Sequence, residues 1–191
     1  MKKIERKETI KIPNNIEIFY CKKRKIILFK GPVGNKSLKI HNLLRVCYTK
    51  QQITVLNENK KKFSHSEKKK VHALKKTASS LIKQLLIETT AMTYQKLKLV
   101  GVGYRVFPVE NFENRLVLLK LGYSHSIYFR IMPKTNVFCL KLTKLFIYGS
   151  SYHQITSTTA KIRLNKVPEP YKGKGILYEN EKITIKEGKK V

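Results

Sequence analysis

The spacing of apolar and polar residues divides the first half of the chain into a β-rich part and a helix. Alternating patterns in "IEIFYC" and "KIILFKG" predict two short strands around a basic turn, Cys21–Lys25. After a Pro/Gly turn at 31–35, β-branched and aromatic residues predict three further strands, "SLKIH", "RVCYT" and "QITVL". The Lys-rich stretch from 57 to 70 has little apolar content and is predicted as an exposed loop.

A helix is predicted at the end of that stretch. Ser64 and Glu67 have the spacing of a capping box. Beyond Val71, apolar residues recur at intervals of three and four, as expected for an amphipathic helix packed on a sheet. The apolar set is Leu74, Ala78, Leu81, Ile82 and Leu85, and Lys75, Lys76 and Lys83 are predicted on the other faces.

The second half repeats this order of strands followed by a helix. Strands are predicted in "QKLKLVGVGYRVFPV", in the hairpin "RLVLLKLGYSHSIYFRI", and in "NVFCLKL" and "TKLFIYG". Residues 150–166 are predicted as a helix capped by Ser150 or Ser151, and a last short strand is predicted near "KITIK". The chain is therefore predicted to be α+β, with two similar domains at 1–93 and 94–191, each an antiparallel-rich sheet with a helix on one face.

Net charge is the most informative property of the composition. The chain has 41 Lys and Arg but only 12 acidic residues, all of them Glu, and its net charge is +29. Such a chain repels itself unless a polyanion neutralises it. Nucleic acid is the expected partner, since phosphate neutralisation with counterion release drives binding. An anionic membrane surface is the competing partner, and some of the charge runs could simply be solvated.

Enzymatic and metal-binding functions find little support in the residues. The five His are scattered, there is no Asp, and three distant Cys without a CxxC pair exclude a zinc ribbon. The odd Cys count and long spacing suggest buried thiols in a reducing compartment. "GVGYRV" lacks the third glycine and the helix of a dinucleotide site, so its glycines are predicted to mark a bulge or a close backbone approach. No catalysis, cofactor, metal or small-molecule substrate is expected.

Membrane insertion and export are not expected either. No apolar run approaches the ~20 residues of a membrane span. The start, "MKKIERKETI", lacks the apolar core of a signal peptide and the long acid-free leader of an imported organelle protein. We therefore expect the protein to work where it is made.

The segment "PEPYKGKGILYENE", residues 168–181, has neither a helical nor a strand period. Its prolines would stop the preceding helix, and its glycines would let the backbone approach a partner closely. Lysines could meet phosphates and tyrosines could stack on bases. The candidate contacts are Tyr171, Lys172, Gly173, Lys174 and Gly175, with Lys161 and Arg163 one turn earlier. An exposed linker with incidental lysines is the alternative.

The hairpin turn contributes two weaker candidates, Ser124 and His125. Neighbouring residues of an extended chain point to opposite faces and no acid lies nearby, so turn residues are the simpler interpretation. The other interpretation is a hydrogen bond to a phosphate or a 2′-hydroxyl.

These motifs together resemble the family of the sixth protein of the large ribosomal subunit, in its bacterial and organellar form. "LKLVGVGYRV", "LKLGYSHSI", "AKIR" and "PEPYKGKGILYENE" stand in that family's order, with "KGPVGN" in the first half and "KEGKK" at the end. The resemblance implies two similar α+β domains and a structural role without catalysis. It implies binding of large-subunit rRNA near the translation-factor site, beside ribosomal proteins of the stalk base. Lys189 and Lys190 in the basic tail are further expected contacts.

Several positions depart from the family pattern. Ser151 and Tyr152 replace an acid and a lysine before the last helix, Ser126 replaces a proline, and Glu88 and Met92 replace glycines. With abundant Lys, Ile, Asn, Phe and Tyr, these departures point to an AT-rich genome. A mitochondrial ribosome with an organelle-encoded chain is the favoured interpretation, and a plastid or bacterial cytoplasm is the alternative.

Two functions therefore stand beside each other. The first is a structural constituent of the large ribosomal subunit. The second is a non-ribosomal RNA-binding protein or ribosome assembly factor that uses the same basic surface. They differ in whether the chain stays on mature subunits.

Overall fold

The computed structural model describes residues 9–49, 51–57, 64–109 and 115–188. Within these residues the chain forms thirteen strands and two helices, and it divides into two compact units, Met1–Ala91 and Met92–Val191. Every strand pair within the sheets is antiparallel. The predicted α+β class with a repeated order of strands and helix is confirmed.

Unit 1 contains two three-stranded sheets and the long helix α1, His65–Thr90. The sheets have the orders β2-β3-β4 and β1-β6-β5. The strands are β1 Thr9–Lys11, β2 Glu17–Cys21, β3 Ile26–Lys30, β4 Asn35–Lys39, β5 Leu44–Tyr48 and β6 Gln52–Asn57. The five strands predicted in this half are present, and β1, which sequence reasoning missed, pairs with β6.

The predicted capping box of α1 is confirmed. The Ser64 backbone N–H donates to Glu67 Oε2 at 2.9 Å, and the Glu67 N–H donates to Ser64 Oγ at 3.4 Å. These reciprocal bonds satisfy two of the N–H groups that a helix start leaves free. The rest of the Lys-rich stretch, residues 58–63, lies outside the described residues.

The predicted buried face of α1 is correct in part. Leu74, Ala78, Ile82 and Leu85 pack in or against the core of unit 1. Lys75, predicted on another face, is buried, and Leu81, predicted inside, is 39% exposed. The buried stripe therefore runs through the row that includes Lys75, whose long aliphatic stem can be covered while its ammonium group reaches water.

Unit 2 contains a four-stranded sheet of order β11-β12-β7-β13 and a three-stranded sheet of order β10-β9-β8. Helix α2 spans Tyr152–Leu164 and contacts β7, β12 and β13. The strands are β7 Thr93–Val100, β8 Arg105–Pro108, β9 Leu116–Lys120, β10 Ile127–Arg130, β11 Thr135–Lys141, β12 Lys144–Gly149 and β13 Gly175–Tyr178.

One core joins α2 to both sheets of unit 2. Ile155 and Ile162 of the helix are fully buried with Leu97 and Leu145 of the larger sheet and Leu119 of the smaller one. The alternation of β7 is set by this core, since Leu97 and Leu99 are buried while Lys98 between them is exposed. One face of the larger sheet is thereby covered, whereas Tyr94, Lys98 and Phe138 on the other face are exposed.

The last strand does not lie where the sequence predicts it. Residues 182–186, "KITIK", are not in a strand, whereas Gly175–Tyr178 forms β13 and pairs with β7. The segment predicted as wholly irregular therefore contains the strand. The physical reason is that Ile176 and Leu177 are buried on the edge of β7, and burial together with backbone pairing favours a strand despite the flanking glycines.

The cysteines also differ from expectation. Cys21 and Cys47 are exposed, so the prediction of buried thiols is wrong for both. Cys139 is half-buried against the core of unit 2, and this burial raises the pKa of its thiol. Exposure follows strand alternation, because residues on the outer side of a half-buried strand face water whatever their type.

Candidate nucleic-acid interface

The C-terminal end of α2 is closed by an asparagine rather than by the prolines. The Asn165 side-chain amide donates to the carbonyls of Lys161 at 3.2 Å and Ile162 at 3.1 Å. Helix carbonyls at this end would otherwise lack partners. The helix ends before Pro168, so the prolines stiffen the loop that follows instead of ending the helix.

The loop after the helix is tied to itself by backbone hydrogen bonds. The Glu169 N–H donates to the Lys174 carbonyl and the Gly173 N–H to the Glu169 carbonyl, both at 2.9 Å. The side chains of Tyr171 and Lys172 are exposed at its tip, and Lys174 is half-buried. The sequence therefore builds a small closed loop that holds Lys172 outward without a helix or strand of its own. We call residues 166–174 the basic loop.

Gly173 in the basic loop and Gly175 directly after it have different roles. Gly173 has φ +67°, a left-handed conformation that favours glycine, and a Cβ there would meet no atom within 4 Å. Its backbone therefore borders open space. Gly175 is buried, and a Cβ there would lie 2.6 Å from Pro168 Cα. The close approach at Gly175 is internal to the protein and lets β13 pass the start of the loop.

The hairpin turn lies against the same end of α2. Tyr123 Oη donates to the Asn165 carbonyl at 3.1 Å, and Lys166 Nζ lies 4.4 Å from the centroid of the Tyr123 ring. The His125 ring stacks beside that of Tyr123 at 6.0 Å, and both Ser124 and His125 are exposed. The hairpin turn and the basic loop therefore form one surface, although they are distant in sequence.

A groove of about 480 Å³ lies where the turn meets the loop. It is lined by Tyr104, Tyr123, Leu164, Asn165, Lys166, Val167, Glu169 and Lys174. Sequence reasoning did not select Tyr123, Asn165 or Lys166 as site residues. The aromatic in the turn was a usable signal for Tyr123, but its contact with residue 165 spans 42 positions and has no sequence signature.

Arg163 is held by an acid within the protein. Its Nη2 donates to Glu181 Oε1 at 2.6 Å and its Nε to Oε2 at 3.3 Å, while the Tyr178 N–H donates to Oε2 at 3.1 Å. Glu179 likewise forms an ion pair with Lys96 at 3.3 Å. These acids beside a basic surface pair with cations of their own unit, and Lys161, which is exposed, presents the more accessible charge at the helix end.

The pKa of Glu181 reflects this pairing. Partial burial raises the pKa of the carboxyl, but the Arg163 hydrogen bonds, the Tyr178 N–H and the Arg163 charge outweigh it and lower the pKa below its ordinary 4.5. Because the folded-state pKa is lowered, the resulting stability is present above the ordinary value and is lost as pH falls through the folded value.

Replacing Glu181 with Gln is expected to lower the free energy of unfolding by about 1 kcal/mol at neutral pH, because a charge-assisted pair is lost. The difference from the parent should shrink as pH falls from the ordinary carboxyl pKa through the lowered pKa of the folded parent, since the parent carboxylate is then protonated too. Urea unfolding at neutral and acidic pH measures both values. Glu187→Gln, at an exposed position, is the matched control. A loss that is independent of pH would contradict a role for the carboxylate charge.

Neither a metal centre nor a membrane-spanning helix is found in the described part of the chain. No group of three or more His, Cys, Asp or Glu there could hold a metal ion. No helix there is both long and apolar enough to cross a membrane. Of the site residues predicted from sequence, Lys189 and Lys190 lie outside the described residues.

Comparisons with known proteins place relatives along nearly the whole chain. The family model "Ribosomal protein L6" matches residues 100–179, which include the hairpin turn, α2 and the basic loop. "Large ribosomal subunit protein uL6" of Geotalea uraniireducens is 35% identical over 94% of this chain and 93% of its own length.

Two further relatives extend the range of sources. The uL6 protein of Mycoplasmoides gallisepticum is 34% identical over 94% of this chain and 92% of its own length. "Large ribosomal subunit protein uL6m" of Prototheca wickerhamii is 32% identical over 95% of this chain and 94% of its own length.

Proposed function

Because the chain belongs to the uL6 family of large ribosomal subunit proteins, we propose that its unit 2 binds large-subunit rRNA. Its role in the subunit is structural rather than catalytic. The contacts are made by the basic loop, the end of α2 and the hairpin turn. The near-full-length relationship to uL6 proteins is the observation that carries this proposal.

The local geometry supports the same surface. Lys172 and Lys161 are exposed cations that can neutralise phosphates, and the exposed ring of Tyr171 offers a stacking face. Gly173 leaves the loop backbone bare on its outer side. Backbone closure of the loop lowers the entropy lost on binding, because the loop backbone is already held in place.

The family resemblance supports a proposal for the position in the ribosome. We place unit 2 on rRNA near the region where translation factors bind, with ribosomal proteins of the stalk base as neighbours. For the compartment we propose a mitochondrial ribosome. The uL6m relative favours it, as does an amino-acid composition rich in Lys, Ile, Asn, Phe and Tyr, which points to an AT-rich genome. A plastid or bacterial ribosome is the alternative, and the bacterial relatives favour the bacterial one.

Sedimentation tests this function. We expect the chain to remain at one copy per large subunit when subunits are isolated from the source cells and washed in high salt. The reason is that the basic loop, the end of α2 and the hairpin turn make several phosphate contacts together. Mass spectrometry of precursor and mature subunits compares how much of the chain each contains. Presence on precursors with absence from mature subunits would instead identify an assembly factor and overturn the structural role.

A further inference from the structure

The open face of the larger sheet in unit 2 carries aromatic side chains. Thr159 Oγ1 of α2 donates to Gln95 Oε1 of β7 at 2.7 Å, so odd-numbered residues of β7 face the helix. Strand alternation then turns Tyr94, Lys96 and Lys98 to the opposite face. The neighbouring strand β12 adds Tyr148 in register with Tyr94, and Phe146 in register with Lys96.

The rings form a contiguous patch. Tyr94 and Phe146 are stacked with centroids 5.2 Å apart, and Phe146 and Tyr148 lie 5.6 Å apart. Phe138 on β11 is in register with Phe146 and extends the patch by one strand. Tyr94 is 58% exposed and Phe138 59% exposed. We call Tyr94, Phe138, Phe146 and Tyr148 the aromatic sheet face.

A row of lysines borders this aromatic sheet face. Lys141, Lys144 and Lys98 stand in register on β11, β12 and β7, and all three are exposed. Like charges directly opposite each other destabilise a sheet. Lys96 is paired with Glu179, but no ion pair to an acid is found for this row within the described residues. Phosphate groups laid along the row would relieve the repulsion.

We propose that the aromatic sheet face binds single-stranded RNA, with bases stacked on the exposed rings and phosphates on the row of Lys98, Lys141 and Lys144. Aromatic side chains on a sheet surface provide flat platforms for unpaired bases, and stacking tolerates any base. A positive border along the platform tracks the backbone. The chemistry favours RNA over an apolar protein partner, because burying three ammonium groups against an apolar surface is costly.

This inference goes beyond the proposed function, because the aromatic sheet face lies on the side of the sheet opposite α2 and shares no residue with the basic loop or the hairpin turn. It adds a second RNA contact of different chemistry. The basic loop presents charge to structured rRNA, whereas the aromatic sheet face requires unpaired bases.

The test uses the full chain and a short single-stranded oligoadenylate carrying one fluorescent purine analogue. Replacing Tyr94 and Phe138 with Ala is expected to weaken binding on the order of tenfold and to abolish the fluorescence quenching that stacking produces. The salt dependence should stay unchanged, because no phosphate contact is removed. Both side chains are more than half exposed, so the fold should be retained, and thermal unfolding checks this.

A matched control removes the same ring types elsewhere. Tyr128 on β10 and Phe19 on β2 are 64% and 53% exposed, and neither belongs to the four-stranded sheet. The Tyr128→Ala, Phe19→Ala chain should bind and quench like the parent. Equal losses in both double variants, or none in either, would overturn the proposal.

A crosslink in the assembled particle separates the possible occupants. With a photoreactive phenylalanine analogue at position 94, illumination should yield an RNA adduct, and a protein adduct would overturn the proposal. The oligonucleotide measurement is independent of ribosomal incorporation. Failure of the chain to sediment with large subunits would therefore refute the proposed function and leave this inference to be decided separately.

Discussion

A chain in which both Lys172 and Lys174 are replaced by Glu is expected to bind large-subunit rRNA on the order of a hundredfold more weakly at physiological salt. Each replacement removes a cation and adds a repelling anion at the basic loop. The loop itself should keep its shape, because backbone hydrogen bonds from Glu169 and Gly173 close it. Filter binding or fluorescence anisotropy with an rRNA fragment measures the affinity.

Salt dependence identifies the mechanism of this loss. The slope of log affinity against log salt should become shallower by about 0.7–0.9 for each phosphate contact removed. Lys22→Glu with Lys23→Glu, at exposed positions of the turn between β2 and β3, changes the net charge equally and serves as the control. If the control loses as much affinity as the loop variant, overall charge rather than this loop governs binding.

Replacement of Gly175 by Ala is expected to lower the free energy of unfolding by about 3 kcal/mol. The added Cβ would lie 2.6 Å from Pro168 Cα and 2.8 Å from its N, and both are backbone atoms that cannot rotate away. Either β13 must withdraw from β7 or the start of the basic loop must move. Urea unfolding measures the loss, and RNA affinity should fall with it because the loop is displaced.

Two other glycines calibrate that result. Gly173→Ala meets no atom within 4 Å but keeps φ +67°, so we expect a loss of about 1 kcal/mol from backbone strain alone. Gly188→Ala meets neither constraint and should be neutral within about 0.5 kcal/mol. A Gly175 variant no worse than the Gly173 variant would show that the close approach to Pro168 relaxes freely.

Local patterns predicted most of the elements correctly, because their signals lie within a few residues. The capping box of Ser64 and Glu67 needs only a three-residue spacing, and the hairpin around residues 122–126 needs only alternation and a turn. The predictions are wrong where contacts with residues distant in sequence determine which side chains are buried. Lys75 is predicted on another face of α1, yet tertiary packing buries it.

The candidate site was predicted as a set of residue types rather than as an arrangement. Charge and the irregular segment indicated Lys172, Lys174 and Tyr171. The sequence did not indicate that Arg163 would be occupied by Glu181, or that Tyr123 would reach Asn165. Both contacts join residues far apart in the chain, and no local spacing encodes them.

By itself, the sequence determined the α+β class, the repeated order of strands and helix, the excess of positive charge and the family resemblance. The first three properties follow from composition and short-range periodicity, and the resemblance follows from the order of the motifs, all of which the chain carries before it folds. Only the tertiary structure decided which glycine serves an internal contact, which strand completes the sheet of unit 2, and where the rings of Tyr94, Phe146 and Tyr148 meet. The reason is that these outcomes depend on pairing between strands distant in sequence, and burial energy shared across the whole unit selects that pairing.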